Sequence, residues 1–176
     1  GSEMCIRDRV LSQFRDHEGK KTLAAYIHDK DLRLTGRLDF DSEGLMVLTD
    51  DGKLAAHISD PKYKKPKTYW AQVEGIPDNA AIKQLEQGLV LKDGLTRPAK
   101  ARLINQPEHL WERMPPIRHR ANIPTHWLEI TISEGKNRQV RRMTAAIGHP
   151  TLRLIRASVG KWSLDGLKPG QWQAAD

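Results

Sequence analysis

The chain has 176 residues, with 29 lysines and arginines against 22 acids and a net charge of +7. That length suits one good-sized domain or two tightly packed lobes, and the basic excess favours a polyanionic partner. The single cysteine, Cys5, excludes a disulfide framework within the chain and suits a reducing cytosol. No apolar run approaches the roughly 18 residues of a membrane span, and no signal-peptide pattern is visible.

Glu3 to Arg9 show neither helical nor strand period, and Gly1-Ser2 resembles a cloning scar. The segment reads as non-native, with one domain over 10–176. Asp16 to Gly19 read as a turn and Thr22 to Ile27 as a short helix capped by Thr22. Leu32 and Leu34 then alternate into Gly36-Arg37-Leu38-Asp39-Phe40-Asp41-Ser42-Glu43-Gly44, and the solid apolar run Leu45 to Leu48 follows. This predicts two strands joined by an acidic, glycine-bounded turn. Such acids often only hydrogen-bond their own backbone. The spacing of Asp39, Asp41 and Glu43 also nearly fits a calcium loop. Both flanks read as strands, however, Asp50 stands where a bidentate glutamate belongs, and Arg37 competes with a cation. A third reading is a nucleophile: a carboxylate held ionised by an adjacent arginine can attack an electrophilic carbon. The chemistry alone leaves open which of the three acids that is.

Lys53 to Ser59 read as a short helix with Leu54, Ala55 and Ile58 on one face, ended by Asp60-Pro61. Next come Lys62, Lys64, Lys65 and Lys67, interleaved with Tyr63, Tyr69 and Trp70, a pattern suited to phosphates and bases. Tyr69 to Glu74 alternate as a strand ending at Gly75. Asp78 caps a helix with an Ala81, Ile82, Leu85 stripe, closed by Gly88. Leu89 to Leu91, the hairpin signal Asp93-Gly94, and Ala101 to Ile104 predict strand, turn and strand. Asn105 to Pro124 form a long proline-rich connection bearing Arg113, Arg118, His119 and Arg120. His109, His119 and His126 lack metal-ligand spacing, so no metal is expected.

Trp127 to Ile132 alternate, with Leu128, Ile130 and Ile132 sharing a face. Gly135 breaks that strand and a helix runs to Ile147, stopped by Gly148. On it Arg138, Arg141 and Arg142 share one face, and Val140, Met143 and Ile147 another. Three arginines at a helix N-terminus oppose the macrodipole, a local conflict that points to anion binding. Thr151 to Val159 form a strand with Arg153 and Arg156 on one side. Lys161 onward reads as a closing strand pair.

Gly-Arg-Leu-Asp followed by Ser-Glu-Gly-Leu resembles the catalytic motif of the RsuA/RluB/RluE/RluF family of RNA pseudouridine synthases. Lys67-Thr68-Tyr69 and Glu134-Gly135-Lys136 with Arg138 to Met143 resemble two further motifs of that family. The resemblance spans nearly all of Val10 to Asp176. It lacks the family's opening Lys-Pro strand, which implies a sheet short of one member. It also lacks the S4-type domain that many members carry. The Pro-Pro-Ile-Arg loop and Ile-Pro-Thr-His-Trp-Leu are most like the branch acting on one uridine of 23S ribosomal RNA.

The resemblance implies an α+β fold with a large, mostly antiparallel sheet, and isomerisation of uridine to pseudouridine without a cofactor. It makes Asp39 the catalytic residue, with Asp41 and Glu43 as turn acids. Tyr69 stacks on a uracil flipped out of its helix, and Arg37 and Lys136 keep Asp39 ionised. Lys62, Lys64, Lys65, Lys67, Arg138, Arg141 and Arg142 grip phosphates. A cytoplasmic monomer follows. The rival is a non-catalytic RNA-binding module, which has no need to place Asp39 near Lys136.

Overall fold

The computed structural model describes residues 2–7, 31–63, 65–113, 116–118, 120 and 122–175. The expectations for Val10 to Phe14, Asp16 to Gly19, Thr22 to Ile27, Lys64 and His119 lie outside the described residues. In chain order the elements are β1 (Ser2–Arg7), β2 (Arg33–Thr35), β3 (Glu43–Thr49), α1 (Gly52–Ser59), β4 (Lys67–Glu74), α2 (Asn79–Gln87), β5 (Val90–Leu91), β6 (Gly94–Leu95), β7 (Lys100–Ile104), β8 (Thr125–Ile132), α3 (Gln139–Ala146), β9 (Thr151–Val159), β10 (Trp162–Ser163) and β11 (Trp172–Ala175).

The fold is α+β, as expected. One sheet runs β11-β1-β3-β9-β4-β8-β7, with β2 paired to β3 and β10 to β9. The β3–β9 pair is parallel and the other pairings of this sheet are antiparallel. Strand alternation sorts the core onto two faces. Ala71, Val73, Leu128, Ile130, Ile132 and Leu154 pack on one face with Leu85 of α2 and Val140 and Met143 of α3. Trp127, Ile155 and Ala157 pack on the other, with Ile58 of α1 and Trp162. The unbroken apolar run of β3 is covered on both sides: Leu45 and Val47 join the second cluster, while Met46 and Leu48 pack with Leu32 and Leu38. Helix α2 starts after its expected cap, Asp78, and α1 after Asp51. Asp51 accepts from Lys53 N and Leu54 N at the start of α1, and Asp78 accepts from Ala81 N at 2.8 Å before α2.

Four expectations are corrected. The sheet is not short of a member, because Ser2–Arg7 pairs along β3 and β11. Main-chain pairing needs no side-chain period, so the sequence pattern gave no sign of it. The Asp93-Gly94 signal yields only the short hairpin β5–β6, whose turn is Lys92-Asp93 with Gly94 paired to Leu91, and β7 pairs instead with β8 from Lys100↔Thr131 to Ile104↔Trp127. A five-residue partner outcompetes a two-residue one. The C-terminal strands do not pair with each other: β10 lies on β9 and β11 on β1. Finally, Arg153 and Arg156 point to opposite faces of β9, as residues three apart on a strand must.

Candidate active site

Thr35 lies opposite Val47 in the β2–β3 pair, so the acidic stretch is the loop joining these strands. The loop ends where β3 meets β9 in parallel, with Gly44 beside Arg156. Gly44 has φ +115°, and a Cβ there would stand 2.3 Å from Arg156 O. Only glycine lets the two backbones approach so closely. Arg156, 2% exposed, donates through Nε to Leu45 O and through a terminal nitrogen to Gly36 O, each at 2.9 Å. One buried guanidinium therefore fastens both ends of the loop.

The three acids take three different environments. Glu43 is not a turn acid. It belongs to β3, is 1% exposed, and accepts two bonds of 2.9 Å from Arg153 and one of 2.7 Å from Trp111 Nε1, with Arg113 Nε at 3.7 Å. That cluster lies on the sheet face away from α3. Asp41 is clasped by Arg138 through two bonds of 3.0 and 2.9 Å. Arg138's hydrogen bond, reinforced by Arg141, outweighs the effect of burial and holds the Asp41 carboxyl at about 2, below its usual 3.8. Asp39 lies 3.4 Å from Arg138 and remains partly open to solvent.

Asp39 lines a cavity of about 620 Å³ together with Arg37, Tyr69, Lys136, Arg138 and Arg156. Asp39 and Lys136 line the same cavity. The cation facing Asp39 in that ion pair is nevertheless Arg138. The Lys136 ammonium points instead to Asp93 O at 3.4 Å on the β5–β6 hairpin. Arg37 is exposed at the cavity rim. Tyr69 is half-buried and faces the cavity from β4. Lys67, two residues before it on the same strand face, also opens into the cavity and is 8% exposed. It is therefore not part of the solvent-facing lysine run, of which Lys62 is exposed and Lys65 half-buried.

The arginines of α3 are engaged within the chain. Arg138 caps the helix in the left-handed region, at φ 51°. Arg141 is largely buried and donates to Asp41 O at 3.0 Å and Ser42 Oγ at 3.3 Å. Arg142 pairs with Asp93 through bonds of 2.7 and 3.0 Å. All three bind carboxylates or loop oxygens of the chain itself. The conflict with the helix dipole is relieved inside the protein, because the acid loop and the hairpin are brought to the helix start. Arg153 and Arg156 were visible as arginines in an otherwise apolar strand. That interruption is a signal of buried partners which composition alone does not name.

The sequence from residue 5 to residue 146 matches the RNA pseudouridylate synthase family. The chain belongs to that family. It is 61% identical over 164 residues to the ribosomal large subunit pseudouridine synthase E of Vibrio parahaemolyticus, covering 93% of this chain and 68% of that one. It is 53% identical over 169 residues to the protein of the same name from Xanthomonas campestris pv. campestris, covering 95% and 90%. A solved structure described as a pseudouridylate synthase superposes with a TM-score of 0.78 at 27% identity, over 98% of this chain and 68% of that one. The chain is thus an RNA pseudouridine synthase by family, and its fold is that family's.

Proposed function

We propose that the chain isomerises one uridine of the large-subunit, 23S ribosomal RNA to pseudouridine, with Asp39 as the catalytic carboxylate. The observation that supports this best is the meeting of Asp39, Tyr69 and Arg138 around one 620 Å³ cavity, within the roughly 300–1,000 Å³ typical of small-ligand sites. A stacked uridine is out of reach of such a cavity, so the target nucleotide is flipped into it. Tyr69 stacks on the uracil. Asp39 attacks C1′ or takes a proton from C2′, and Arg138 orients it. Arg37 and Lys136 meet the substrate at the rim, while Lys62, Lys64 and Lys65 meet phosphates. The reaction gains and loses no atoms and no electrons, so it calls for no cofactor. The protein acts as a single catalytic domain and a monomer in the cytoplasm, the compartment that its RNA partner and lone cysteine suit. Among the described residues no helix is long and apolar enough to cross a membrane.

The test is to map pseudouridine in 23S RNA from cells lacking the gene, and to restore it with the wild-type protein. One site should vanish and return. Asp39→Asn should bind the RNA and fail to restore it; restoration by Asp39→Asn rejects the assignment of Asp39.

A further inference from the structure

Lys67 is in an environment that packing does not explain. The residue is 8% exposed and its side chain opens into the cavity, yet among the described residues no carboxylate or carbonyl holds its ammonium. The Nζ atom lies 3.1 Å from where a Cβ on residue 135 would stand, so Gly135 keeps the space beside it open. Burial, and then the charge of Arg156, push the Lys67 pKa below the ordinary lysine value. The neighbouring cations are committed: Arg156 to two backbone carbonyls, Arg138 to Asp41 and Asp39, and Lys136 to Asp93 O. An ammonium on a largely buried side chain, facing only the cavity and with neither counter-ion nor acceptor, costs stability. Such a cost is tolerated where a ligand brings the missing acceptor.

We propose that Lys67 is the leaving-group donor of the isomerisation: from the cavity wall its ammonium donates a hydrogen bond to a uracil carbonyl oxygen and stabilises the uracil anion formed when C1′–N1 breaks. The inference rests on the reading of the site given above. In that step the C1′–N1 electron pair leaves with the uracil, and its charge spreads over N1 and the two carbonyl oxygens. Asp39 meanwhile bonds to C1′ or takes the C2′ proton. The ring turns, C5 bonds to C1′ and loses its proton, Asp39 is released or returns its proton, and N1 gains one. Lys67 keeps its protons throughout and acts by charge and direction alone. It lies two residues before Tyr69 on one strand face, so the group that stacks the ring and the group that meets its edge are placed by the same strand.

The test uses single-turnover conversion of a 23S RNA transcript, made with uridine or with 5-fluorouridine, whose base is the better leaving group. Lys67→Met should lower the conversion rate by about 10²–10³-fold, as for loss of one oxyanion donor, with RNA affinity unchanged and a raised melting temperature. On the fluorinated transcript, followed as loss of the target nucleotide, the deficit should shrink by about tenfold because a weaker base needs less help to depart. The wild-type rate should fall at alkaline pH with a midpoint below the ordinary lysine value, and Lys67→Arg should move that limb upward. An equal deficit on both transcripts, or an unimpaired Lys67→Met, overturns the proposal. Should Lys67→Met fail to fold, the alkaline limb of the wild type decides, and its absence overturns the proposal. A wild-type protein that converts no uridine overturns the functional reading instead.

Discussion

Asp41 accepts two hydrogen bonds from Arg138 and faces Arg141 at 3.7 Å. Its carboxyl pKa therefore falls from 3.8 to about 2. The folded value lies below the unfolded one, so the clasp stabilises the fold above about pH 4. That contribution is lost as pH falls through the folded value near 2. The carboxylate is 37% exposed, and screening by solvent limits the stability involved to roughly 1 kcal/mol or less. Carboxyl carbon NMR should find Asp41 titrating at about 2, well below a free aspartate; a midpoint close to 3.8 would contradict the bidentate clasp. Gly44 makes a stronger demand. A Cβ there meets the Arg156 backbone at 2.3 Å in a conformation that side chains avoid. Gly44→Ala should cost at least about 2 kcal/mol in chemical denaturation, since both strain and clash act together. A change below about 0.5 kcal/mol, the range of surface substitutions, would mean that the two strands do not approach as described.

At the scale of elements, α3 is a fastener rather than a free cationic rod. Arg141 ties it to the acid loop, and Arg142 ties it to the β5–β6 hairpin. This changes what an alanine at 141 should do. As a phosphate contact, its loss would reduce the slope of log affinity against log salt by about one. As a clasp, its loss leaves that slope alone, while turnover and melting temperature both fall because the Asp41 loop is no longer pinned. Fluorescence titrations with RNA at several salt concentrations separate the two. The hairpin invites the converse experiment. Asp93 neutralises Arg142, and its main-chain oxygen accepts from Lys136. Asp93→Asn should release the Arg142 charge toward RNA and steepen the salt slope by about one, whereas an unchanged slope would place α3 outside the RNA footprint.

Across the whole molecule, what the sequence made legible and what it hid divide along one line. Elements governed by neighbours in the chain were readable: the alternation of Tyr69 to Val73 and Leu128 to Ile132, the cap Asp78, and the β2–loop–β3 unit. Pairings made across the chain were not. Asp41 meets Arg138 97 residues away, and Glu43 meets Arg153 at a separation of 110. No local pattern says which acid receives which arginine, so Glu43 read as a turn acid and Lys136 as the partner of Asp39. The phase of Lys67 was readable in principle, since it shares a strand face with Tyr69, but the run of lysines around it suggested a phosphate-binding loop. The long-range pairs also join the two faces of the sheet. At the β3–β9 junction Arg156 fastens the acid loop on the cavity side, and Glu43 gathers Arg153 and Trp111 on the other. Glu43 itself does not line the cavity, so the role of this second cluster is to hold the junction. Glu43→Gln removes the charge that two buried guanidiniums face, and breaking such a pair costs about 3–5 kcal/mol. The denaturation midpoint should fall accordingly, while turnover per folded molecule stays within about twofold of wild type, because interactions this far from the reacting atoms act through folding. A variant equally stable but inactive would instead place Glu43 in the chemistry and return the choice among the three acids to where the sequence alone had left it.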